Sequence, residues 1–173
     1  MKRSRVLGWR RLAVCLLLVL AGAVTAGRET QANPAQARQF VSDFSGRWSG
    51  SGTVKLQGDR QERISCRATY SAAGATTVVQ TLRCANPRYS FNFRSSMRLN
   101  GARVSGQWQD DAHGRSGILS GSLRSKAVAL TISGAGFSAS MYMRVDACNQ
   151  SISVRPRGNE IVQVAVRLRK GGC

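Results

Sequence analysis

From Trp48 onward, apolar and polar residues alternate one by one. Trp48, Gly50, Gly52, Val54 and Leu56 share one face of an extended segment. Ile64, Cys66, Ala68 and Tyr70 share a face of the next, with Arg63, Ser65, Arg67 and Thr69 opposite. A period of two is the mark of a strand buried on one side. Residues 57–60 and 72–75 carry Gly58 and Gly74 and read as turns. Val78, Leu82 and Cys84 then point inward, Thr81 and Arg83 outward, and Gln80 interrupts the apolar series. Tyr89, Phe91 and Phe93 open a strand expected to bend before Met97 and Leu99. Asn100-Gly101 is a strong hairpin signal. Val104, Gly106 and Trp108 follow, and 110–114 turns again. Segments 118–123, 128–132, 137–145, 152–154 and 161–168 complete the series.

Short strands joined by hairpin-length turns make an antiparallel meander. Closing it removes the exposed edges. The pattern therefore predicts an all-β, up-and-down barrel of about eight to ten strands. Even spacing and short connections favour it over a β-sandwich. One short helix is expected before it, over 34–44. Pro34 suits a first helical position, and Phe40, Val41 and Phe44 would share a face.

The N-terminus reads differently. Lys2, Arg3, Arg5, Arg10 and Arg11 precede an almost wholly apolar run, and Val24-Thr25-Ala26 offers small residues for cleavage. The run is about 13 residues, short of the roughly 20 needed to span a bilayer. The expected organisation is a signal peptide over 1–26, an N-terminal arm and short helix over 27–43, and a barrel domain over 44–173. The expected location is periplasmic or secreted, with no transmembrane span in the mature chain.

Export changes the reading of charge and cysteine. Cleavage would leave 147 of the 173 residues and remove five of the 26 basic residues but none of the eight acidic ones. The mature charge would be +13, which favours anionic neighbours such as envelope lipid or polysaccharide. No basic stripe interleaved with exposed aromatics is visible, so nucleic acid is not an expected partner. Cys66, Cys84, Cys148 and Cys173 would remain, an even number in an oxidising compartment. Cys66 and Cys84 are equidistant from position 75, so a hairpin turning at 73–76 places them opposite each other, within reach of a disulfide. Elimination leaves Cys148 to pair with Cys173, with a free or intermolecular Cys173 as the alternative. The cysteine spacings match no zinc pattern, and His113 is the sole histidine. Neither metal nor cofactor is expected.

Phe44-Ser45-Gly46-Arg47-Trp48 resembles the Gly-x-Trp opening of lipocalins and the wider calycin group. That resemblance implies a tryptophan, here Trp48, closing the barrel base. It also implies an arginine packed across it, for which Arg167 and Arg169 are the candidates. The avidin-like group opens similarly, as do bacterial periplasmic metalloprotease inhibitors of the Inh type, whose inhibitory residues lie in a segment before the barrel. These likenesses concern fold and do not assign function.

An enzyme is not expected. His113 sits in a turn with Asp110, Asp111 and Ser116 nearby, and neighbours in a turn rarely orient as a triad. A binding module fits better, since a barrel of this size either fills its interior or holds one small ligand. Candidate lining residues for an apolar ligand are Tyr70, Gln80, Phe91, Phe93, Trp108, Phe137, Met141 and Met143. Tyr70 and Gln80 would face each other across the hairpin and supply polar contact. The alternative role is a protease-inhibitor-like or protein-interaction module.

Overall fold

The computed structural model describes residues 34–173. The expected signal peptide and arm residues 27–33 lie outside the described residues. Helix α1 (Pro34–Phe44) leads into ten strands: β1 (Gly46–Leu56), β2 (Gln61–Ala72), β3 (Thr77–Ala85), β4 (Ser90–Asn100), β5 (Arg103–Asp110), β6 (Arg115–Arg124), β7 (Ala127–Gly134), β8 (Phe137–Asp146), β9 (Asn149–Arg157) and β10 (Ile161–Lys170). Each strand pairs antiparallel with its successor, and β1 pairs with β10, so the sheet closes into a barrel with no free edge.

The alternation sets the wall. Inward residues are apolar and outward ones are mostly Arg, Ser and Thr, as in β2, where buried Ile64, Cys66, Ala68 and Tyr70 alternate with exposed side chains. A membrane-spanning barrel shows the reverse order, with an apolar outer band. No helix among the described residues is long and apolar enough to cross a membrane.

β4 pairs with β3 and β5 without a register shift. The strand runs unbroken, and Ser95, which hides the alternation, is buried with the same inward parity as Met97 and Leu99. Gln80 likewise keeps its inward parity and is fully buried. Tight curvature falls on glycines. A Cβ at Gly106 would collide with the Ser96 carbonyl oxygen on the neighbouring strand, so β4 and β5 approach there only because the side chain is missing.

Helix α1 caps one end. Ala37, Phe40, Val41 and Phe44 are its buried face, and the Phe44 ring meets Tyr70 edge-on at 5.5 Å. The helix terminus is satisfied locally: Ser45 donates from both its backbone N–H and its hydroxyl to the Val41 carbonyl. Trp48 Nε1 donates to the Phe44 carbonyl at 2.8 Å, which fastens the helix to β1.

Both disulfides form. Cys66 and Cys84 are register partners on β2 and β3 with Cα atoms 4.1 Å apart. Cys148 pairs with Cys173, tying the C-terminus to the β8–β9 turn.

Candidate functional site

At the end opposite α1 the barrel is open and holds a cavity of about 340 Å³. Its aromatic wall is Trp108. The indole lies parallel to Phe93, with ring centroids 5.8 Å apart, and tilted against Phe137 at 5.4 Å. Trp108 Nε1 donates to the Ser133 carbonyl, which fixes the ring's orientation. Gly134 makes room for it, since a Cβ there would crowd Trp108 Cζ2. Phe91 and Met141 complete the part of the lining that the sequence pointed to, and Cys84 brings the first disulfide to the wall.

Three of the expected lining residues lie elsewhere. Tyr70, Gln80 and Met143 have the right parity but the wrong depth, and they sit in the filled half toward α1. Tyr70 and Gln80 do face each other, as register partners on β2 and β3. Together with Ser95 and Gln150 they form a buried polar layer. The Tyr70 hydroxyl accepts from Gln150 Nε2 at 2.7 Å and from Gln80 Nε2 at 3.3 Å, and the Ser95 hydroxyl donates to Gln80 Oε1 at 3.1 Å. Burial pushes the Tyr70 phenol well above its ordinary range, with the Gln150 hydrogen bond pulling slightly the other way.

The base tryptophan is packed by a different cation. Arg167 and Arg169 point outward and are exposed. Lys170 Nζ lies 5.4 Å from the Trp48 ring centroid and donates to the Asp43 carbonyl. The alternation of β10 contains this correction: Val164, Val166 and Leu168 face inward, so the next inward position is 170.

The rim is charged, which sequence reading missed. Arg88 pairs with Glu62 at 2.9 Å, and the Tyr89 hydroxyl donates to Glu160 at 3.4 Å. Partial loss of hydration and the carboxylates of Glu160 and Glu62 raise the Tyr89 pKa. Arg115 borders the cavity with its guanidinium 5.9 Å from the Phe137 ring centroid. His113 Nδ1 and Asp110 Oδ2 are 2.6 Å apart. Asp110 is register partner to Arg115, so Ser116 falls on the outward face, away from the histidine. The serine is not aligned with this pair. Among the described residues no group of three or more metal-ligating side chains is gathered.

With this geometry in place, the solved structures give context. Rv2717c from M. tuberculosis matches with a TM-score of 0.63 and 17% identity, over 78% of this chain and 96% of that one. The S-type phycobiliprotein lyase CPES from Guillardia theta matches at 0.59 with 6% identity, over 80% and 94% of the two chains. A DUF3598-family protein of unknown function from Nostoc punctiforme matches at 0.55 with 14% identity, over 75% of this chain and 48% of that one. The barrel fold is shared. These likenesses agree with the closed antiparallel barrel expected from the strand pattern. No protein-family model matches the chain. No curated protein matches it.

Proposed function

We propose that this is an exported, non-catalytic protein that holds a small apolar ligand in the open half of its barrel, in the periplasm or outside the cell. The observation that carries the reading is the cavity. A volume of about 340 Å³ lies within the usual range for small-molecule sites, roughly 300–1,000 Å³. Its wall is aromatic and aliphatic, and its polar groups stand at the rim, which suits an apolar body with one solvated end. The two disulfides support an oxidising compartment. A filled barrel would have favoured the inhibitor-like alternative. Association with anionic envelope components remains part of the proposal and rests on the outer wall.

The test is titration with the uncharged dye N-phenyl-1-naphthylamine, alongside native mass spectrometry of protein purified from its own cells. Saturable dye fluorescence is expected, and Trp108→Ala should weaken it at least tenfold by removing the wall on which the ligand stacks. A co-purifying small molecule is expected in the mass spectrum. Dye uptake unchanged in Trp108→Ala, with no bound molecule under gentle conditions, would refute the reading.

A further inference from the structure

The outer wall is not evenly charged. Arg67 on β2 and Arg83 on β3 are direct register partners. Ser49 on β1 stands between Arg67 and Arg169 on β10 in the same row. In the next row Ser51 stands beside Arg167, and Ser151 on β9 joins Arg167 to Arg144 on β8. All five arginines are exposed, and among the described residues none makes an ion pair. The acid at this edge, Asp146, is 3.7 Å from Lys126. The β4–β5 wall differs: Arg94 is paired with Asp111, and Arg98 and Arg103 stand across from Ser105 and Ser122 rather than from another arginine.

Like charges directly across a strand pair destabilise a sheet. Arg67 and Arg83 carry that cost, and Arg83 Nε donates to the neutral Asn92 Oδ1 at 3.3 Å rather than to an acid. Neighbouring strands lie ~4.8 Å apart, so the row from Arg169 to Arg83 covers roughly 14 Å. With the adjacent row it forms a two-dimensional array of guanidinium groups set among serine hydroxyls. The wall of a closed barrel is convex and offers no groove to a linear polymer. Neither row contains an aromatic ring on which a base would stack. What complements such an array is a surface of anionic groups.

We infer that the β8–β9–β10–β1–β2–β3 wall docks the protein onto a bilayer of anionic lipid. This inference stands apart from the cavity reading and survives its failure. The experiment is co-sedimentation of the protein, purified from its own cells, with vesicles of phosphatidylglycerol and phosphatidylcholine in a one-to-two ratio. Binding is expected, falling as salt rises, with none to pure phosphatidylcholine. Each arginine near an anionic bilayer is worth about fivefold in partition, so Arg67→Ser/Arg83→Ser/Arg169→Ser should lose on the order of a hundredfold. Arg94→Ser/Arg98→Ser/Arg103→Ser removes the same charge from the β4–β5 wall and should lose less than about fivefold. Circular dichroism verifies folding, and the single Arg67→Ser variant, expected to lose about fivefold, serves if the triple variant does not fold. Equal losses from the two walls would show net charge alone at work and overturn the inference. So would salt-insensitive binding to pure phosphatidylcholine, or binding to heparin or DNA without binding to vesicles.

Discussion

The Tyr70 hydroxyl accepts hydrogen bonds from Gln80 and Gln150 in a layer shut off from solvent. Its ordinary pKa is 10.0, and burial raises it in the folded chain. Above pH 10 the unfolded chain releases a proton that the folded chain keeps. The contribution of Tyr70 is therefore complete below about pH 10 and is lost as pH rises from there through the folded value. Urea unfolding should show that decline in the wild type, and Tyr70→Phe should lack this component. Near neutral pH, Tyr70→Phe should cost about 1–3 kcal/mol, because two buried amide donors lose their acceptor. Parallel stability curves for the two proteins up to about pH 11 would contradict this assignment. Gln150 Oε1 adds to the tension, since it is a buried oxygen without a hydrogen-bond partner among the described residues.

At the scale of elements, α1 and the cavity lie at opposite ends of the barrel. Phe44 is fully buried against Tyr70 and Phe40. Phe44→Ala should cost about 3–5 kcal/mol in urea unfolding, by lost burial and the hole left behind. Dye affinity at the open end should change less than about twofold. A large loss of affinity would mean that the two ends are not separable. This division also explains what the chain discloses on reading. Alternation reveals which way a side chain points, so the strands, the 73–76 turn, the Cys66–Cys84 pair and the helix over 34–44 are all visible in it. Alternation is silent about depth along the barrel axis. Tyr70, Gln80 and Met143 share parity with Phe91 and Phe93, and only the closed topology places the first three in the packed half. Ser95 and Gln150 escape notice for a related reason: a polar residue at an inward position looks like a break in the strand until its partners on other strands are known.

The whole molecule depends on a seam, because its first and last strands are neighbours. β10 is held to β1 along the full run from Trp48 to Leu56, and Gly171 donates to the Arg47 carbonyl beyond the strand end. Cys148–Cys173 anchors the end of β10 from its other side. Cys148→Ser/Cys173→Ser should cost about 3 kcal/mol and leave the barrel folded. Hydrogen exchange should quicken first near Lys170 and Gly171, and uniform acceleration across all ten strands would disprove a local seam role.

The helical plug has a kinetic corollary. A vessel stoppered at its foot has one doorway, so the proposed ligand would leave by the path it took in. No competitor can push it out from behind. A substitution that narrows the charged lip would then slow entry and exit together while leaving the equilibrium between them unmoved.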